Sequence, residues 1–290
     1  MKVIEGNSFA EVYEQAMRLL LEHPEHRTKP RGLEIHECLN TALVIADPSK
    51  NLFKYDDKAL TLPTGYVKKE MCLYLMGTDD AKLFTKASSF WDKIKTKDGK
   101  INSAYGNLVF NPSLGDGRSQ FDWAFDSLKA DKDSRQAFMR FNNTSHQYNG
   151  NRDLPCTFVE TFHIRDNKLH ATVEMRSNDI IKGTTYDIPS FILFQQLMLL
   201  RLREVYPELE LGTYTHIASS FHAYSTDFDL IAKRLLNDIK ENAYPFPEDW
   251  HCIKSDDIAK CFDIKANKQE WLFDSWEHSE NASFYKWLCS

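Results

Sequence analysis

The run LPCTFVETFHIRDNKLHATVEMRSND, Leu154–Asp179, decides how the rest of this 290-residue chain is read. After Pro155 the period drops to two. Phe158, Glu160, Phe162 and Ile164 alternate with Val159, Thr161 and His163; beyond the turn dipeptide Asp166-Asn167, Leu169, Ala171, Val173 and Met175 alternate with His170, Thr172, Glu174 and Arg176. That pattern predicts a hairpin whose open end brings Cys156 next to Arg176. A thiol attacks as its thiolate, and a neighbouring guanidinium favours that form, so the pair is a candidate activated nucleophile. On spacing alone, a plain buried thiol fits as well.

Outward from the hairpin, Ser190–Tyr206 is apolar on nearly every side, too short and too interrupted for a membrane span and suited to a helix inside a large core. A strand is expected over Tyr214–Tyr224 and a helix over Asp227–Asn242. Upstream, Ser8 and Glu11 form a capping-box pattern ahead of Val12, Ala16, Leu19 and Leu20, predicting a helix that ends near His23-Pro24. Lys69–Leu75 reads as a mostly apolar helical stretch around one acid, Glu70, and another helix is expected over Asp79–Ile94. Repeats and flexible linkers are lacking, so residues 1–290 read as a single α+β domain with an acidic, aromatic tail, 247–290, of unclear role.

A formal charge of −6 argues against a broad basic footprint, so no direct nucleic-acid binding is expected. An anionic ligand would meet a local group of arginines, which suits a mononucleotide. The opening residues lack the pattern of a secretory leader, and the expected location is cytoplasmic. Six cysteines, at 38, 72, 156, 252, 261 and 289, form no Cys-x-x-Cys pair. His36 and Cys38 share a strand face but read as packing residues, and no metal is expected.

Five segments in order carry a family resemblance. They are Lys69-Glu70-Met71-Cys72-Leu73-Tyr74-Leu75-Met76-Gly77; Trp91 with Gly99 and Ser103-Ala104-Tyr105-Gly106; Asp133-Ser134-Arg135; Leu154-Pro155-Cys156 with Arg176-Ser177-Asn178-Asp179 and Gly183; and His222-Ala223-Tyr224. In these the chain resembles the thymidylate synthase superfamily, over about Gly32 to Leu230. The resemblance implies a two-layer α+β fold with a large twisted mixed sheet, a buried central helix and a homodimer. It implies 5,10-methylenetetrahydrofolate as co-substrate and a pyrimidine mononucleotide as substrate.

By the same resemblance Cys156 adds to ring carbon six, Glu70 and Tyr105 manage protons, and Asp179 belongs to the catalytic set. Arg176, Ser177 and Arg31 would hold the phosphate, with Arg135 lent across the dimer interface. Asn178 would contact substrate, and His222 and Tyr224 the sugar hydroxyl. Trp91, Asp179, Gly183 and the tail would line or close the folate pocket.

The departures from the synthases are informative. Thr185-Tyr186-Asp187 stands where they have proline-phenylalanine-asparagine, Thr157 replaces a histidine, Met175 a glutamine and Ser220 an aspartate. An asparagine amide suits uracil, whereas Asp187 suits the amino group and ring nitrogen of cytosine. These features are similar to the deoxycytidylate hydroxymethylase branch found in phages, and imply 5-hydroxymethylation of dCMP. Gln136 departs from that branch, where a second arginine is usual, and Arg31 lacks the usual arginine-threonine-glycine context. A thymidylate synthase acting on dUMP, a CMP hydroxymethylase and an inactive nucleotide-binding protein are the alternatives.

Overall fold

Asp166 and Asn167 both take positive φ, 50° and 58°, the geometry that a two-residue hairpin turn needs to match strand twist. In the computed structural model they join two antiparallel strands that anchor the main sheet. The structure describes residues 1–251, 253, 255–267 and 281–290. Strands are β1 (Lys2–Gly6), β2 (His26–Thr28), β3 (Ile35–Ile45), β4 (Leu52–Lys54), β5 (Phe138–Arg140), β6 (Thr157–Arg165), β7 (Lys168–Met175), β8 (Asn178–Asp179), β9 (Glu210–Tyr224) and β10 (Lys240–Asn242). Helices are α1 (Phe9–Glu22), α2 (Thr64–Leu75), α3 (Ala81–Ala87), α4 (Phe90–Ile94), α5 (Tyr105–Phe110), α6 (Gln120–Ala130), α7 (Thr184–Arg203), α8 (Phe228–Leu235), α9 (Ser255–Asn267) and α10 (Ala282–Cys289).

The main sheet runs β1-β3-β9-β7-β6-β5, with β2 on β3 and β8 on β9. It is mixed: β1 is parallel to β3 and β7 to β9, while the other principal pairs are antiparallel. Leu169, Ala171, Val173 and Met175 of β7 are buried, whereas His170 and Thr172 are half-buried and Glu174 exposed. Helix α7 packs on β7 and β9, and Phe191–Leu199 is buried throughout, Gln195 and Gln196 included. Among the described residues no helix is long and apolar enough to cross a membrane.

Local signals set several boundaries. Ser8 caps α1 by accepting from Glu11 N (3.3 Å), but the Glu11 carboxylate reaches Asn7 N (2.7 Å), one residue before the cap itself. The helix expected over 79–94 breaks into α3 and α4 because Ser88 is extended and its hydroxyl accepts from Phe90 N (3.3 Å), a local bond that competes with the helical ladder. The helix expected to reach Asn242 stops at Leu235. Leu236 is 85 % exposed, with no core to hold another turn, and Lys240–Asn242 pairs with β4.

The β6–β7 register slips between Thr157 and Val159, a bulge beside Cys156. It buries Thr157 and turns Phe158 out to 41 % exposure, where strict alternation places Phe158 with Phe162. The acidic, aromatic tail contains α9 and α10. Ile258, Cys261 and Phe262 do recur at helical spacing, and all three are buried.

Candidate active site

At the mouth of the hairpin, Arg176 closes the loop that presents Cys156. Its backbone N–H donates to Cys156 O (2.8 Å) and its guanidinium to Leu154 O (2.9 Å) and Pro155 O (3.2 Å). The same guanidinium places Nη2 3.3 Å from Cys156 Sγ. Burial nonetheless pushes the thiol upward, with Asp187 and Asp153 adding to it, and Arg176 and Arg31 only partly oppose the shift. The thiolate-favouring effect of Arg176 is therefore present, but desolvation outweighs it in the ligand-free chain. Arg31, exposed and at positive φ (55°), belongs to the same electrostatic environment.

Tyr105 is buried at the start of α5, and its hydroxyl accepts from Thr157 N (3.4 Å). Asp153 ties this segment to the cysteine loop by accepting from Ser103 N (3.1 Å) and Ser103 Oγ (2.5 Å). Glu70 lies on the face of α2 that also carries Tyr66 and Tyr74. Tyr66 donates to its Oε1 (3.1 Å), while Oε2 accepts no hydrogen bond. Burial raises the Glu70 carboxyl to about 7 against the opposing effect of the Tyr66 and Tyr74 hydroxyls.

Asp187 is in the first turn of α7 and accepts from Asn178 Nδ2 (2.7 Å). Thr184 in turn donates to Asn178 Oδ1, so the amide is held by both of its ends. Burial first, and then the Glu70 charge, push Asp187 well above the carboxylate range, with Asn178 opposing. Asp179 accepts from Ile181 N (2.6 Å) and Lys182 N (2.8 Å) through Oδ1, while its buried Oδ2 has no partner. Burial raises it too, and His222, its register partner on β9, pulls the other way.

His222 and Tyr224 are neighbours on one face of β9, rings 5.2 Å apart. Ser177 is half-buried in the link between β7 and β8. Gly183 precedes α7, where a Cβ would come within 2.8 Å of Asp179 O, so a close backbone approach accounts for it. Trp91 is buried and donates to the Tyr66 hydroxyl (3.1 Å). Ser220, half-buried and two residues before His222 on β9, donates to Glu37, the cross-strand partner of His222.

The fold thus gathers Cys156, Arg176, Arg31, Tyr105, Glu70, Asp187, Asn178, Asp179 and His222 at one end of the sheet. Arg135 is not among them. Phe162 N donates to Ala137 O (2.9 Å), which sets Arg135 level with the Ile164 end of β6. At 3.3 Å per residue that is roughly 25 Å from Cys156, beyond the reach of an arginine in the same chain. The described part of the tail is elsewhere as well. Ser290 accepts from Lys68 Nζ (2.8 Å), Trp287 lies under the same ammonium (4.8 Å), and α9 and α10 pack on α2. Lys68 and Cys72 face away from the Glu70 stripe, since positions two apart on a helix point in nearly opposite directions. The described tail helices therefore brace α2 from behind instead of closing the site; residues 268–280 lie outside the described residues.

A cleft of about 840 Å³ lies between α5, α6 and edge strand β5, lined in part by Asn107, Trp123, Phe138 and Arg140. It contains none of the titratable cluster and does not mark the site. Among the described residues no group of three or more His, Cys, Asp or Glu side chains is arranged to hold a metal ion. The sequence alone did not point to Tyr66 or Asp153. Tyr66 was nonetheless accessible there, being four residues before Glu70 on the same helix.

A family model described as Thymidylate synthase matches residues 11–269. Deoxycytidylate 5-hydroxymethyltransferase of Enterobacteria phage T4 is 28 % identical over 177 residues, covering 57 % of this chain and 69 % of that protein. Thymidylate synthase of Symbiobacterium thermophilum is 27 % identical over 258 residues, covering 82 % of this chain and 86 % of that one. Thymidylate synthase of Bacillus phage phi3T is 26 % identical over 188 residues, 63 % and 64 % of the two chains.

Proposed function

The chain belongs to the thymidylate synthase family, and on that premise we propose that it transfers a one-carbon unit to carbon five of dCMP, with water completing the reaction to give 5-hydroxymethyl-dCMP. Asp187 carries this reading. Its half-buried carboxyl accepts from Asn178, and desolvation pushes it toward the neutral form, which can donate to the unprotonated ring nitrogen of cytosine and accept from its amino group. The similarity to the phage T4 hydroxymethyltransferase supports the same choice.

In this reading Cys156 Sγ bonds to carbon six, and the ring's electrons make carbon five nucleophilic toward the one-carbon unit, which 5,10-methylenetetrahydrofolate supplies when bound. Asp179 fits such a co-substrate, because its buried, unpartnered Oδ2 can accept from a ring N–H; in this reading Trp91 and Gly183 would also contact it. Arg176 neutralises the thiolate as it forms. Tyr105 takes part in removal of the carbon-five proton, and Glu70, near neutrality, gives or takes a proton through a bound water. Arg176, Ser177 and Arg31 bind the phosphate, and His222 and Tyr224 the sugar.

Incubation with the folate and dCMP, CMP or dUMP, followed by product mass, tests the reading. A formaldehyde-sized gain on dCMP is expected; a methyl gain on dUMP, or a preference for CMP, refutes it. Replacing Asp187 by Asn is expected to move the dCMP-to-dUMP ratio of kcat/KM by at least about 100-fold toward dUMP, because a site built to hydrogen-bond one edge rejects the other. An unchanged ratio removes Asp187 from base selection.

The phosphate site also calls for a second copy. Helices cover one face of the β6–β7–β9 region, its other face is open, and Arg135 is far from Cys156 in its own chain. We propose a homodimer in which each copy lends Arg135 to the other. Mixing Cys156→Ala and Arg135→Ala proteins, each defective alone, is expected to restore about a quarter of wild-type activity, since half the dimers are mixed and each has one complete site. No recovery after subunit exchange counts against the shared site.

A further inference from the structure

Trp91, Tyr66 and Glu70 form a line of hydrogen bonds whose direction is fixed by chemistry. Indole N–H can only donate, so the Tyr66 hydroxyl accepts from Trp91 Nε1 (3.1 Å) and must direct its own proton elsewhere. The neighbour in that direction is Glu70 Oε1, at 3.1 Å. Tyr66 does not ionise to reverse this order, because burial and the Glu70 charge push its phenol well above its ordinary value. Its ring is fixed independently by Tyr186, 4.7 Å away and adjacent to Asp187 in the chain.

We propose that Tyr66 is a positioning residue: held by Trp91, it keeps Glu70 Oε1 permanently as an acceptor, so that the exchangeable proton of Glu70 resides on Oε2. Oε2 is buried and accepts no hydrogen bond, which leaves it for water or substrate. Nothing in the family match assigns Tyr66 a role. The functional meaning rests on the reading of Glu70 given above, but the proton's location does not.

Groups facing the Glu70 carboxyl are Tyr66 and Tyr74 from α2 and, across the site, Tyr186 and Asp187 from α7. Of these, Tyr66 is bonded to Oε1 and stabilises the charged form. Its removal must therefore raise the Glu70 pKa from about 7. Tyr66→Phe keeps the ring and its packing and deletes the donor to Oε1, leaving the Tyr74 hydroxyl in place.

The test is infrared titration of the ligand-free protein, with spectra of Glu70→Gln subtracted to isolate the Glu70 carbonyl band. In Tyr66→Phe the midpoint is expected to move up by about one pH unit, a tenfold change in the ionisation equilibrium. Trp91→Phe is expected to shift it in the same direction by less, since Tyr66 then keeps its bond to Oε1 without being held; this serves if Tyr66→Phe does not fold. An unmoved midpoint in a folded variant overturns the proposal, as does a downward shift. A merely structural Tyr66 would lower stability and leave the midpoint in place. Because no substrate is present, failure here is separate from failure of the dCMP reading. If both hold, the same upward shift appears in the pH profile of kcat.

Discussion

Cys156→Ala is expected to reduce turnover by at least about 10⁴-fold, since covalent catalysis has no substitute once its nucleophile is gone. The geometry explains why so few atoms matter. Arg176 makes two bonds to the carbonyls of the cysteine loop and a third to the thiol itself, so the loop keeps its shape whether or not the sulfur is present. The cysteine is half-buried and touches the core only at its margin. Loss of its thiol is expected to alter stability by about 1 kcal/mol, the middle of the range for single substitutions. Activity and stability therefore separate: a steady-state assay should collapse while the melting curve hardly moves. Retention of even 1 % of wild-type turnover in protein free of wild-type contamination would show that Cys156 is not the nucleophile.

Gly106→Ala is expected to have the largest effect on stability. A Cβ at this position would lie 1.9 Å from Tyr74 O and 2.3 Å from Tyr74 Cα. These are backbone atoms of α2, and no rotamer change can relieve the clash. Helices α2 and α5 must separate, and with them the two elements that carry Glu70 and Tyr105. A destabilisation of about 4 kcal/mol is expected, lowering Tm by roughly 10 °C for a chain of this size. Gly65→Ala is the control. It is in α2, the helix that Gly106 of α5 packs against, has open space around its Cβ position and no positive φ, and should be neutral or slightly stabilising through better helix propensity. Equal losses from the two substitutions would show that the Gly106 contact is not what holds α5 against α2.

The parts of the fold legible in the sequence were those with a local physical cause. Alternation over 158–175 and the Asp166-Asn167 turn announced the hairpin, since a strand with one buried face must alternate and a two-residue loop needs positive φ twice. The mostly apolar run over Ser190–Tyr206, apolar on nearly every side, announced a buried helix. Other boundaries were set by single side chains, such as the Ser88 hydroxyl that ends α3, and short polar residues leave no period to read. Within the tail, α9 and α10 gain much of their hold by packing on α2 and each other, a stabilisation that composition does not display.

By itself the sequence determined the hairpin, the buried helix, the order of the five family segments and the substitution of Asp187 for asparagine. The tertiary structure decided how Cys156 and Arg176 balance. Their adjacency was visible, but the net direction of the thiol was not, because desolvation comes from residues far apart in the chain. It also set Arg135 away from its own site, put the described tail helices behind α2, and oriented Trp91, Tyr66 and Glu70 into one donor-acceptor line. Periodicity records which residues are buried; which atoms face one another once buried depends on how separate elements pack, and that is fixed only when the chain is folded.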